Sequence, residues 1–263
     1  MIPKIIHHIA PEDKNTWHPL WQRCYDSWKK QFIDFEFILW NDEKDIDSLV
    51  KNYFNQFWST YSSFPVHIMR IDFARFCILH KYGGIYADMD VFCYKNFYDV
   101  IEDNKVYLLP APYGSQSANG NNLLENALMI SPCKHIFFQK CLEYSSFVFG
   151  NKIKKYNIRF PLNYFEQTLV VNTAGPVCLD NVFELFKKDI KILDYRLFNN
   201  HGLSYDVNFY TKHLLTGIWG KESLLLKKNN DYLDEVKKFA NLENVTLDNF
   251  DFYKDYTNGG YLK

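Results

Sequence analysis

The chain has 263 residues, enough for one large domain with a small appended lobe, and 47% of them are apolar, which supports a real core. A formal net charge of −1 gives no field of the kind that marks a nucleic-acid binder. The six cysteines lack the C-x-x-C spacing of a zinc site, and several lie in apolar runs such as Phe76-Cys77-Ile78, so they read as reduced, buried thiols of a cytoplasmic protein.

Ile2 to Ile9 reads as a buried first strand after Pro3. Trp17 to Phe32 carries Leu20, Trp21, Cys24, Tyr25 and Trp28 at helical spacing. Phe35 to Trp40 reads as a second strand ended by Asn41-Asp42, with Asp42 placed to cap a helix running toward Phe57. Phe64 to Tyr82 is the strongest helix: Ile68, Ile71, Ala74, Cys77 and Ile78 repeat near 3.6, and Gly83 offers the left-handed residue that stops it. Ile85-Tyr86-Ala87 then starts a short strand that runs into Asp88-Met89-Asp90. Val106 to Leu109 reads as a strand, Pro110 to Asn122 as a loop rich in Gly, Ser and Asn, and Leu124 to Ile130 as another strand. Ser131-Pro132 is expected to open a further helix. Helix and short strand alternate after Pro161. Residues 1–226 form the expected catalytic domain, and the polar segment 227–263 a C-terminal helical appendage. No run of about 18 apolar residues and no signal-peptide pattern is visible. This alternation implies a mainly parallel α/β sheet with helices on both faces and a ligand at the carboxyl ends of the strands.

Asp88 and Asp90 fall at such an end, two residues apart, so their side chains leave the strand on the same side. Paired carboxylates suit Mg²⁺ or Mn²⁺, which bind through few protein oxygens plus substrate phosphates. Such a cation neutralises a diphosphate leaving group. A bare D-x-D is common in surface turns, but here an apolar strand and a Gly-Gly turn precede it. The preceding helix also carries Asp72 and Arg75 three apart on one face, in the spacing of an intrahelical ion pair or of a hydroxyl-binding acid–guanidinium pair.

Arg70-Ile71-Asp72-Phe73-Ala74-Arg75 followed by Tyr82-Gly83-Gly84-Ile85-Tyr86-Ala87-Asp88-Met89-Asp90 resembles family 32 of the glycosyltransferases, the DXD sugar-transferase group. That group includes yeast Golgi mannosyltransferases and bacterial capsule and lipopolysaccharide enzymes, and the chain is distantly similar to the glucosylating domain of large clostridial toxins. Ile2-Pro3-Lys4-Ile5-Ile6-His7 resembles the family's opening strand, and Asn126-Ala127 with Ser131 its middle motif. Thr173-Ala174-Gly175-Pro176 resembles its T-G-P motif with one substitution, and His213 through Gly217 to Trp219 its closing H-x-x-x-G-x-W.

The resemblance implies a GT-A-like α/β fold, a Rossmann-like nucleotide-diphospho-sugar transferase with a mixed sheet flanked by helices. It implies retaining, metal-dependent transfer of a hexose or N-acetylhexosamine from a nucleotide-sugar, a UDP-sugar above all, with Mn²⁺ or Mg²⁺. Asp88, Asp90 and His213 would hold the cation. Asp72 and Arg75 would grip the donor sugar, while His8, Tyr86, Asn126 and Trp219 would line the nucleotide-sugar pocket. Ala10 replaces the tryptophan that usually ends the first strand, so base stacking would come from elsewhere, with His8 and Trp40 as candidates, or be weaker. The implied acceptor is a capsule or lipopolysaccharide glycan, free or lipid-linked; a lipid-linked one would place an otherwise cytoplasmic protein peripherally at the inner membrane face, and no nucleic acid is involved. A phosphatase, a non-catalytic sugar-binding module and a toxin-like protein glycosyltransferase are the rival readings.

Overall fold

The computed structural model describes residues 1–110, 124–150, 170–198, 209–214 and 216. A six-stranded sheet has the order β2-β1-β3-β6-β5-β7, formed by β1 (Ile5–Ala10), β2 (Glu36–Asn41), β3 (Gly84–Ala87), β5 (Val106–Pro110), β6 (Leu124–Ser131) and β7 (Ile190–Ile192). A two-stranded ribbon pairs β4 (Val91–Cys93) with β8 (Thr211–His213). The helices are α1 (Pro19–Gln31), α2 (Lys44–Tyr53), α3 (Trp58–Ser62), α4 (His67–Tyr82), α5 (Ile136–Val148), α6 (Pro176–Phe186) and the single turn α7 (Tyr195–Phe198).

The sheet is mixed rather than mainly parallel. β1 runs parallel to both β2 and β3, but β6 is antiparallel to β3 and to β5. The apolar pattern of β6 is the same in either direction, so its reversal was not readable locally. The parallel trio β2, β1 and β3 therefore ends on one edge, at Asn41, Ala10 and Ala87.

Alternation along β1 divides the core. Ile9 packs with Ile46, Leu49, Phe73, Phe76, Phe137 and Cys178 in a cluster built from α2, α4, α5 and α6. Ile6 packs with Trp28, Phe32, Val91, Phe97 and Leu128 on the opposite side. The two histidines follow the same rule. Trp40 Nε1 donates to His7 Nδ1 (3.2 Å), so His7 Nε2 carries the proton it gives to Gly83 O at 2.9 Å. His8 donates through Nδ1 to Ala87 O at 2.7 Å, with its ring edge-on to Tyr25 and Trp28. Both bonds fasten β1 to the ends of β3.

α4 starts at His67, three residues later than its apolar pattern. It buries more than the expected stripe: Met69, Phe73, Phe76 and Cys77 are fully enclosed, whereas Ile68 and Ile71 are only packed against the rim. Its two buried polar residues, Asp72 and Arg75, face the sheet edge described below. Gly83 ends the helix with φ +66°, as expected, and Gly84 follows at φ +89°. A Cβ on Gly84 would lie 2.5 Å from Ile5 O, so β3 can lie this close to β1 only without a side chain there.

Two expected starts are corrected. Asp42 does not cap α2; Asn41 Oδ1 accepts from the amides of Glu43 and Lys44, and Asp42 lies 3.3 Å from His67 instead. Ser131-Pro132 does not open α5 either. Lys134 turns the chain at φ 59°, and His135 caps the helix by accepting from Phe137 N. The loop 111–123, the segment 227–263, Gly217 and Trp219 lie outside the described residues. Cys133 is exposed and the other five cysteines are buried, and no disulfide joins any of them.

Candidate metal and donor site

The chain leaves β3 at Ala87 and turns at once, with Asp88 N bonded to Ala127 O and Val91 N to Asp88 O. This tight exit holds both aspartates beside β8. Asp88, Asp90 and His213 each bring one ligand atom to within 4.8 Å of the others. His213 arrives there because β8 pairs with β4 in the register Val91↔His213.

The trio fits a hard divalent cation. Two ligands at right angles, each about 2.1 Å from a metal, are about 3 Å apart. Asp90 Oδ1 and His213 Nε2 are 3.3 Å apart. The other oxygen of Asp90 is engaged: Thr216 donates to Oδ2 from its amide at 2.7 Å and from its hydroxyl at 3.2 Å. Trp21 Nε1 in turn donates to Thr216 Oγ1 at 2.8 Å, linking α1 to the site. Asp88 is similarly aimed. Tyr86 OH donates to its Oδ1 at 2.7 Å and Arg75 Nη2 lies 3.1 Å from the same atom, which turns Oδ2 toward any ligand.

Behind Asp88 is a buried polar cluster. Arg75 Nη1 is 3.2 Å from Asp72 Oδ1 and donates to Asn126 O at 3.3 Å, and the guanidinium lies over the Tyr86 ring at 5.3 Å. Asn126 Nδ2 donates to Asp72 Oδ1 at 2.9 Å. An irregularity in β6 makes this possible. One step on β5, Leu108 to Leu109, spans four residues on β6, Met129 to Glu125, so three extra residues are accommodated there. Such a bulge turns side chains and carbonyls out of the pleat. Here it delivers the Asn126 carbonyl to Arg75 and its amide to Asp72.

Charge is concentrated in this volume. Burial raises the Asp72 carboxyl to about 6, against the pull of Arg75. Burial also raises Asp88, which Asp90 pushes further while Arg75 opposes it. Burial works against a charged His213, but Asp90 on one nitrogen and Glu125 on the other outweigh it and hold the imidazole well above its ordinary value. Asp72, Asp88, Asp90 and Glu125 gather around Arg75 and His213, a density of carboxylates that would attract a divalent ion.

The structure brings Asp72, Arg75, Tyr86, Asp88, Asp90, Asn126 and His213 together. Some positions differ from expectation. His8 and Tyr86 are fully buried, so they support the site from behind. His8 has no ring face to offer a nucleobase. Trp40, the other candidate for base stacking, is half-buried against His7 and Tyr82. Arg75 is spent on Asp72, Asp88 and Asn126 and thereby aims Asp88. Glu125, Thr216 and Trp21 were not anticipated for the site; each acts through a partner 88 to 195 residues away, and no local pattern signals them.

Residues 19–107 match the family described as "Glycosyltransferase sugar-binding region containing DXD motif". This segment is similar to the DXD sugar-binding glycosyltransferases. The matched segment runs from α1 into the start of β5 and contains Asp72, Arg75, Asp88 and Asp90. Two curated relatives are "Inositol phosphoceramide mannosyltransferase 1" of Schizosaccharomyces pombe and "Mannosyl phosphorylinositol ceramide synthase CSH1" of Saccharomyces cerevisiae. The first is 29% identical over 187 residues, covering 69% of this chain and 51% of the relative. The second is 28% identical over 213 residues, covering 76% and 50%. The chain therefore spans about half the length of these relatives. The solved structure "PaToxG Glycosyltransferase" superposes with a TM-score of 0.52 at 16% identity over 70% of each chain, which establishes a shared GT-A-like fold.

Proposed function

We propose that the chain is a metal-dependent glycosyltransferase that moves a hexose from a nucleoside-diphosphate sugar to a hydroxyl of a glycan or glycolipid. The observation that carries this is the convergence of Asp88, Asp90 and His213, from segments more than 120 residues apart, within 4.8 Å at the carboxyl edge of the sheet. Manganese or magnesium bound there would supply Lewis-acid neutralisation of the diphosphate as it leaves.

The chain's own groups supply the rest. Asp88, Asp90 and His213 would hold the cation that meets the diphosphate. Asp72, fixed by Asn126 and Arg75, offers a carboxylate to donor hydroxyls. Retention is proposed through front-side substitution: the bond from the anomeric carbon to the phosphate oxygen breaks as the acceptor oxygen bonds on the same face. The acceptor proton goes to the departing phosphate. An inverted product, read by NMR of the glycoside, would refute this.

The names of the two yeast relatives support mannose as the sugar and a phosphoinositol-bearing ceramide as the acceptor class, in place of a capsule or lipopolysaccharide glycan. Such an acceptor would bring the chain peripherally to a membrane, and no helix among the described residues is long and apolar enough to cross one. The test is hydrolysis of a panel of GDP- and UDP-sugars with Mn²⁺, with Mg²⁺ and with EDTA. Release of free sugar that EDTA abolishes and Asp88→Asn removes is expected. Binding of every donor without any turnover would instead leave a sugar-binding module.

A further inference from the structure

Glu125 has no place in the site assembled from Asp88, Asp90 and His213, yet it is three-quarters or more enclosed and faces His213 directly. Its Oε2 lies 3.2 Å from His213 Nδ1, while His213 Nε2 lies 3.3 Å from Asp90 Oδ1. The imidazole is thus held between two carboxylates, one on each nitrogen. Glu125 stands outside the trio whose ligand atoms can share an ion. It occupies the ring's far edge.

We propose that Glu125 is the positioning residue of the metal centre, fixing the His213 ring so that Nε2 presents its lone pair to the cation. This rests on the reading of Asp88, Asp90 and His213 as the cation's ligands. A carboxylate accepts only, so Glu125 keeps a proton on Nδ1, and a cation bound beside Asp90 would replace the proton on Nε2 and take that nitrogen as its ligand atom. The same bond fixes the ring plane and raises the basicity of the nitrogen that meets the metal. The β6 bulge sets the place of Glu125: it pairs with Leu109, the position that regular pairing after Leu108↔Met129 would give to Leu128, and from there its side chain reaches Nδ1. One irregularity therefore serves two ends, aiming Asn126 at Asp72 and Glu125 at His213.

The test is Mn²⁺ titration of the full chain by electron paramagnetic resonance, with ¹⁴N modulation of the bound-ion signal reporting His213. Wild type should bind one Mn²⁺ with ¹⁴N coupling. Glu125→Ala should weaken binding by about 10–100-fold and lose or scatter the ¹⁴N coupling. Glu125→Gln, whose amide oxygen can still accept from Nδ1, should recover most of it. In a His213→Ala background, Glu125→Ala should change Mn²⁺ affinity by less than about twofold, since coupled residues are not additive. Thermal melts in EDTA identify variants that fold. Folded Glu125→Ala that binds Mn²⁺ as wild type does, with its ¹⁴N coupling intact, overturns the proposal. A wild-type chain that binds no Mn²⁺ at all overturns the ligand assignment beneath it.

Discussion

Asp72 is held at the site at the expense of the fold, and Asp72→Asn should show it. In the folded chain its carboxyl titrates at about 6 against 3.8 when exposed, so ionising it at neutral pH costs about 3 kcal/mol relative to the unfolded chain. The sign follows from proton affinity. The folded state holds this proton more tightly, so the stabilisation is complete below pH 3.8 and is lost as pH rises through 6. Asparagine keeps the shape and can still accept from Asn126 Nδ2, while Arg75 retains Asp88 and the Asn126 carbonyl. Allowing for the lost attraction to Arg75, the variant should gain about 1–3 kcal/mol at pH 7.5, a rise in Tm of about 2–8 °C. The gap should nearly close at pH 4. Scanning calorimetry at the two pH values measures this. Turnover should move the other way, with kcat/KM down about 10–100-fold for loss of a charged hydrogen-bond acceptor. A variant that melts lower than wild type by the same amount at both pH values would refute the reasoning, because the carboxylate would then be a net support of the fold.

Gly84→Ala should destabilise the chain by on the order of 3 kcal/mol, since its φ of +89° and the 2.5 Å approach to Ile5 O leave no strain-free place for a methyl. Urea denaturation of Gly84→Ala checks this, and an unchanged midpoint would contradict the backbone geometry. Burial lowers His7 to about 4, His8 to about 3 and His18 to about 4, so each supports the fold fully above pH 6.5 and that support fades as pH falls toward 4. Each contributes about 1.4 kcal/mol per pH unit in that window. Asp72 and Asp180, both raised by burial to about 6, act in the opposite sense below that pH. His8→Asn should remove one proton's worth of the pH slope of stability between pH 6 and 4, and an unchanged slope would place His8 in water.

The parts of the fold legible in the sequence were those with a strong local period. α4, the glycine stop and the strand into Asp88 were all readable because apolar spacing and Gly83 act within a few residues. What failed was set by competition or by distance. Asn41 captured the α2 amides that Asp42 was positioned to take, and Lys134 with His135 moved the start of α5 beyond Pro132. The direction of β6 depends on its partners. Within the site, Asp88 and Asp90 announce themselves as a pair and Asp72 with Arg75 as a helical neighbour pair. The environment that makes Tyr86 a support, Arg75 a clamp and Glu125 the partner of His213 is assembled only when β6 and β8 come together, and no spacing encodes it.

The three residues absorbed within β6 separate the frame from the pocket. Pairing with β3 is regular from Ala87↔Leu128 to Gly84↔Ser131, and pairing with β5 resumes at Glu125. Lengthening or shortening that detour would swing Asn126 and Glu125 relative to the cation without shifting either neighbouring strand.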